Sequence, residues 1–123
     1  MSGSFLTRLA ARVIAGVQIA LGLLFWAGQA DWLVPVHMAI GLLLVIDLWA
    51  AVALALRAKA PIALAAAALV WSLVMPTFGL AQASLLPGAG HVLVQLAHLL
   101  VGLAAVGLIE ALGGWSQRRA VLA

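Results

Sequence analysis

The sequence predicts an all-α membrane protein whose four transmembrane helices form a bundle. Hydrophobic residues occupy 67% of the 123 positions, whereas Asp, Glu, Lys and Arg together occupy only 7%. Soluble domains carry about 25% charged residues, so this chain lacks the polar surface that contact with water requires. The same composition excludes an intrinsically disordered chain, which would be polar. The absence of cysteine excludes disulfides, thiolate metal sites and cysteine nucleophiles.

Four apolar stretches are long enough to cross a bilayer, which takes about 20 residues of α-helix. They cover residues 9–27, 33–56, 61–83 and 90–112 and form one domain over residues 1–123. The turn at Pro87-Gly88 precedes the fourth stretch, and Gly113-Gly114 ends it. Pro76 lies inside the third stretch, where its missing amide hydrogen predicts a kink.

The basic residues predict the orientation of the spans. They lie at the start of the first stretch, between the second and third, and after the fourth: Arg8, Arg12, Arg57, Lys59, Arg118 and Arg119. With four spans these regions share one side, which the positive-inside rule assigns to the cytoplasm. We therefore expect an up-down-up-down bundle in the inner (cytoplasmic) membrane, with both termini cytoplasmic. Scattered basic pairs, despite a net charge of +3, argue against nucleic acid as a partner.

The first stretch has a second interpretation. Two arginines, an apolar run and Gly28-Gln29-Ala30 also fit a cleavable secretory signal. Cleavage would leave three spans, with Arg57 and Lys59 still on the cytoplasmic side. We expect the stretch to be retained as a span.

A related pattern, His-x-x-x-Gly followed by an aliphatic run, occurs in the second and fourth stretches. It covers His37 to Gly41 and His98 to Gly102, and each histidine lies 20 positions before an arginine. The two histidines therefore lie at similar depth, towards the outer leaflet. Ionisable groups inside a bilayer are costly and usually face the bundle interior, where they have a partner or a function. We expect the two imidazoles to meet at the centre of the bundle.

Two imidazoles on facing helices are suited to binding haem iron. Neutral histidine is an ordinary haem ligand, and helix bundles hold such cofactors in their cores. His37 and His98 are thus the predicted metal ligands. Gly41 and Gly102 lie one turn beyond them on the same helix faces, which leaves room for a flat macrocycle. Close helix contact is the alternative role for both glycines.

Two further residues of the fourth stretch are candidates for contact with a cofactor. His91 lies about 10 Å along the helix axis from His98, too far for both to bind one iron. It could contact a haem propionate, replace His98 as a ligand, or meet water at the interface. Gln95 lies one turn before His98 and could hold an imidazole or a propionate.

Two acidic residues lie within or near the apolar stretches. Asp47 is near the middle of the second stretch, where an unpaired carboxylate is costly. We expect it to be protonated or hydrogen-bonded to Gln18, Ser72 or an indole N–H, with a proton path to a quinone as the alternative role. Glu110 is near the inner boundary and is expected to reach water.

These features resemble the small four-helix membrane b-type cytochromes. In that group, histidines from the second and fourth helices bind haem b, and nearby glycines make room for it. The matching positions are His37 and His98, with Gly41 and Gly102. The resemblance implies one haem b near the outer face, because the second pair of ligands found in two-haem members is missing. It also implies electron transfer, with a quinone or a redox partner protein.

Two other functions remain open. One is a haem-free accessory or assembly subunit of a membrane complex, in which the histidines and Asp47 serve helix contacts. The other is a small transporter, which would be a homo-oligomer because four short-looped spans leave little room for a pathway. The motifs of hydrolases, phosphate-binding loops and zinc peptidases are missing, so no catalytic residue is predicted.

Overall fold

The computed structural model describes residues 2–122, which form four long helices and no strand. The helices are α1 (Gly3–Trp26), α2 (Val34–Arg57), α3 (Ile62–Ala81) and α4 (His91–Leu122), with short 3-10 turns at Asp31–Leu33, Gln82–Ser84 and Gly88–Gly90. Each long helix is apolar enough and long enough to cross a membrane. The predicted all-α class is therefore confirmed, as is the number of helices that are long and apolar enough to span a membrane.

Local sequence signals account for several helix ends. The hydroxyl of Ser2 accepts a hydrogen bond from the amide of Phe5 and caps the start of α1. Pro35 lies in the first turn of α2, where the missing amide hydrogen costs nothing. Gly28 follows α1 with a φ of 68°, a conformation that favours glycine. The chain therefore turns sharply between the spans.

Helix α4 extends further than its apolar pattern predicts. It continues through Gly113 and Gly114 to Leu122, so these glycines do not end the helix. Gly113 is buried against Arg8, and a Cβ at this position would lie 2.6 Å from Arg8 Cδ. Close packing against Arg8, rather than the end of a helix, thus explains why a glycine occupies position 113. Helix α3 likewise continues through Pro76 to Ala81.

The best-buried part of the bundle lies away from the paired histidines. Helices α1, α2 and α4 contact one another, and α3 contacts α2 and α4. The first half of α1, the second half of α2 and the end of α4 meet at what we call the basic end, where Arg8 pairs with Glu110. The main cluster of buried residues fills the middle and basic end of the bundle: Ala11, Leu44, Leu48, Ala51, Val52, Ala55, Ala65, Ala68, Ala105, Ile109 and Leu112. The opposite, histidine end consists mainly of half-buried and exposed side chains.

Candidate functional site

The structure brings together the two histidines of the His-x-x-x-Gly pattern. His37 lies in the first turn of α2 and His98 in the second to third turn of α4. Their ring centroids are 6.1 Å apart, and the ring planes are inclined by 42°. Both residues are half-buried. The imidazoles therefore meet between the two helices rather than pointing into lipid.

Each of these imidazoles has one ring nitrogen that makes no hydrogen bond within the described residues. Nδ1 of His37 and Nδ1 of His98 are buried, and neither finds a hydrogen-bond partner among residues 2–122. A buried polar atom without a partner costs about 1–3 kcal/mol. A ligand that binds or coordinates the imidazoles can offset that cost.

Aromatic rings from the other two helices lie against the histidine pair. Phe25 of α1 meets His37 edge-on, with centroids 5.4 Å apart. Phe78 of α3 stacks on His98, with centroids 6.1 Å apart and an interplanar angle of 17°. All four helices therefore contribute to the site. Neither phenylalanine was predicted from the sequence, although each lies near the end of a span that leads to the histidine end.

The two patterned glycines have different surroundings. A Cβ on Gly41 would lie 3.1 Å from Nε2 of Gln18, and that amide donates a hydrogen bond to the carbonyl of His37 at 3.0 Å. A Cβ on Gly102 would meet no atom within 4 Å. The space beside Gly41 is thus occupied by Gln18, whereas the space beside Gly102 is open.

A third glycine touches the site from α3. A Cβ on Gly79 would lie 3.4 Å from Cε1 of His98, at the edge of ordinary contact. The lack of a side chain at Gly79 therefore lets the backbone of α3 lie close to the imidazole of His98, on which the neighbouring Phe78 stacks.

The other two candidates on α4 lie closer to its beginning. His91 is the first residue of the helix, and its Nδ1 lies 3.1 Å from the carbonyl oxygen of Leu85. This bond ties the start of α4 to the preceding loop. Gln95 is half-buried and has no side-chain hydrogen bond within the part of the chain that the structure describes. The amide of Gln95 is thus free to bind another group.

Asp47 does not form the hydrogen bonds expected from the sequence. Its Oδ2 is buried and has no partner among the described residues. Gln18 donates to His37 instead, and Ser72 accepts the indole N–H of Trp49 at 2.9 Å. The expected pairing of Asp47 with Gln18 or Ser72 is therefore not formed among residues 2–122, although Oε1 of Gln18 also lacks a partner. The other expectation, a protonated Asp47, stays a prediction.

Glu110 joins α4 to α1 at the basic end. Its two carboxylate oxygens accept hydrogen bonds from Nε of Arg8 at 2.6 Å and Nε of Arg12 at 2.7 Å. Arg8 also donates through Nη1 to Oε1 of Gln117 at 2.6 Å. Two arginines of α1 thus hold Glu110, a pairing that the sequence did not predict, while 28% of its side chain stays exposed.

Two imidazoles fit the needs of haem iron better than those of a bare metal ion. No group of three or more His, Cys, Asp or Glu side chains that could hold a metal occurs among residues 2–122. A structural metal ion such as zinc takes four protein ligands, whereas haem iron needs only one or two from the protein. Two imidazoles that bind one metal from opposite sides, each at a bond length of about 2 Å, place their ring centroids about 6 Å apart. His37 and His98 have that separation.

No protein-family model matches the chain, and no curated protein or solved structure is significantly similar to it. The function is therefore inferred from the residues and their geometry.

Proposed function

We propose that this chain is a membrane protein that binds one haem b between α2 and α4 and acts in electron transfer. The observation that carries the proposal is the 6.1 Å separation of the His37 and His98 rings. The buried, unpaired nitrogen on each ring supports it, because coordination would satisfy side chains that nothing else in residues 2–122 satisfies. When bound, haem b supplies reversible one-electron oxidation and reduction of its iron.

The residues of the chain have separate roles in this proposal. His37 and His98 would both hold the haem iron, which would supply one-electron chemistry and favour electron transfer over the binding of a small ligand. Phe25 and Phe78 restrict the orientation of the two imidazoles. Gly102 provides open space for the macrocycle on α4. A macrocycle beside Gly41 would require the amide of Gln18 to move.

His91 and Gln95 are proposed to lie near the haem propionates. Both precede His98 on α4, towards the histidine end of the bundle. Gln95 has an amide that is free to donate to a carboxylate. His91 is held against Leu85, so it fits a propionate contact better than a second ligand role.

The proposed topology is up-down-up-down in the inner (cytoplasmic) membrane, with both termini in the cytoplasm. Contacts of Arg8 with Glu110 and of Trp115 with the Ala58 carbonyl bring together the segments that carry the basic residues. The positive-inside rule places this basic end in the cytoplasm. The histidine pair then lies towards the outer leaflet, where a quinone or a redox partner protein can exchange electrons with the haem.

Absorption spectroscopy of the purified full chain tests the proposal. We expect a Soret band that shifts on reduction, and a pyridine haemochrome spectrum typical of haem b. His37→Ala and His98→Ala should each abolish low-spin haem binding, because each removes one of the two proposed ligands. His91→Ala is the matched control and should retain the band.

The outcomes distinguish the possible ligands. Loss of the band in His91→Ala but not in His98→Ala would assign the ligand to His91. A colourless protein from haem-replete cells that also fails to bind added haemin would contradict the proposal.

The unpaired Oδ2 of Asp47 favours an alternative function, that of a haem-free accessory subunit. The buried carboxyl has no partner among the described residues, so a polar group on a neighbouring subunit could pair with it. Copurification of one membrane protein that is lost in Asp47→Leu, together with a colourless preparation, would support this function.

A further inference from the structure

A cavity lies between α1 and α4 at the basic end of the bundle, far from the histidine pair. Its volume is about 200 Å³, and it is lined by Phe5, Arg8, Leu9, Arg12 and Gln117. Polar side chains from both helices therefore face apolar side chains of α1 across one small space. Nothing in the proposed haem site accounts for this arrangement.

The cavity carries more positive than negative charge. Arg8 and Arg12 share a single carboxylate, that of Glu110, and each uses its Nε atom to bind it. Arg8 directs Nη1 to Gln117. The terminal nitrogens of Arg12 have no partner among residues 2–122, and its side chain is 60% exposed. Glu110 therefore holds the two guanidinium groups in place. The terminal N–H donors of Arg12 and one net positive charge remain available to bind an anion.

The chemistry of these donors matches a phosphate group. Guanidinium binds phosphate oxygens through paired N–H donors, and its charge is permanent. Basic pockets between transmembrane helices on the cytoplasmic side are typical sites for anionic lipid headgroups. Phe5 and Leu9 are 43% and 45% exposed on the same side of α1, where acyl chains would lie. A free ion would gain nothing from these apolar neighbours.

We propose that this cavity binds the phosphate group of an anionic phospholipid. The guanidinium groups of Arg8 and Arg12 hold the phosphate, and Gln117 offers its amide to the headgroup. Leu9 and Phe5 lie along the first part of the acyl chains. The lipid then joins α1 to α4 at the end of the bundle where Glu110 already links them.

Lipid titration of the full chain in detergent tests this proposal. Native mass spectrometry would follow the binding of phosphatidylglycerol, phosphatidylcholine of the same acyl length, and inorganic phosphate. We expect one tightly bound phosphatidylglycerol per chain and weaker binding of phosphatidylcholine. Millimolar phosphate should not displace the lipid, since it lacks the apolar contacts. Displacement by phosphate would show a free-anion site and overturn the proposal.

Matched variants separate the cavity from net charge. Arg12→Gln should weaken phosphatidylglycerol binding about fivefold, because it removes one cation near the headgroup. Arg57→Gln removes the same charge at the end of α2, outside the cavity lining, and should leave binding unchanged. Equal weakening by both variants would overturn the proposal in favour of a general charge effect.

A third variant tests the cavity without changing any charge. Leu9→Trp places a larger side chain at the cavity wall and should weaken binding as strongly as Arg12→Gln does. Helix content from circular dichroism and the elution volume of each variant establish that the bundle is intact. Unchanged lipid binding by an intact Leu9→Trp protein would place the lipid elsewhere and overturn the proposal.

Discussion

The imidazole of His98 lies near two other rings, those of His37 and Phe78, each at a centroid distance of 6.1 Å. Helices α2, α3 and α4 therefore meet at His98. Helix α1 joins them because its Phe25 contacts His37. Because these contacts come from separate helices, the geometry of the pair depends on the position of every helix. The fully buried cluster at the middle and basic end fixes those positions.

Gly102→Leu is expected to block haem binding without destabilising the haem-free protein. A Cβ at this position meets no atom within 4 Å, so leucine is accommodated when haem is absent. In the presence of haem the leucine would occupy space needed by the macrocycle. We expect at least a roughly tenfold loss of haem affinity, equivalent to about 1.4 kcal/mol, measured by absorbance titration with haemin.

Gly107→Leu is the matched control for this substitution. Gly107 is also on α4 and also faces open space, but it lies five positions beyond Gly102, away from the histidine end. Haem affinity should match that of the unchanged protein. Equal haem affinity in the Gly102→Leu and Gly107→Leu proteins would show that the macrocycle does not occupy the space beside Gly102.

The sequence was sufficient for the features that depend on local composition. Apolar length alone predicts four spanning helices, because each residue adds about 1.5 Å of helix to a fixed bilayer thickness. The meeting of His37 and His98 was also predictable, since each lies 20 positions before an arginine that marks the same side of the membrane. Because α2 and α4 run in the same direction, equal spacing from the same side of the membrane gives the two histidines equal depth.

The features that depend on packing between distant segments could not be predicted. Arg8 and Glu110 are 102 positions apart, and no local pattern pairs them. Gly113 was predicted to end the fourth span, but it lies within α4, where its lack of a side chain leaves room for Arg8. Asp47 was expected to find a partner in Ser72, but the indole of Trp49 occupies that hydroxyl. In each case the contact that forms joins two different helices.

Gly113→Ala is expected to destabilise the bundle. Its Cβ would lie 2.6 Å from Cδ and 2.7 Å from Cγ of Arg8, and 3.3 Å from the backbone oxygen of Ser4. These atoms belong to the middle of a side chain that Glu110 holds, so relief requires α1 and α4 to separate. Overpacking of this kind costs about 1–3 kcal/mol, which thermal unfolding in detergent would measure.

Gly107→Ala provides the comparison for that experiment. It makes the same chemical change on the same helix, at a position where the new Cβ meets nothing within 4 Å. Alanine is the better helix former by about 1 kcal/mol, so stability should be unchanged or higher. A Gly113→Ala protein as stable as Gly107→Ala would show that α1 is not held closely against α4.

Asp47→Leu is expected to stabilise the isolated protein. The carboxyl group has a buried oxygen without a partner, so its removal relieves the cost of placing a polar group in an apolar span. We expect a gain on the order of 1–3 kcal/mol, seen as a higher Tm. Asp47→Asn keeps a polar group of the same size and should give a smaller gain. A lower Tm for Asp47→Leu would mean that the carboxyl group has a stabilising partner.

Ser72→Ala is expected to weaken the contact between α2 and α3. The hydroxyl of Ser72 accepts the indole N–H of Trp49 at 2.9 Å and donates to the carbonyl of Leu69 at 2.6 Å. Alanine leaves the indole N–H without its partner in an apolar environment. Hydrogen bonds between membrane helices contribute about 0.6 kcal/mol on average, so the loss of stability should be small but measurable.

A double-mutant cycle between Ser72→Ala and Trp49→Phe isolates the energy of this hydrogen bond. The two substitutions should be non-additive by about 0.6 kcal/mol, because either one alone already removes the interaction. Thr77→Ala is the control, since the hydroxyl of Thr77 donates only to the carbonyl of Leu73 in its own helix. That variant should combine additively with Trp49→Phe. Additivity in the Ser72 cycle as well would show that the indole and the hydroxyl do not interact across α2 and α3.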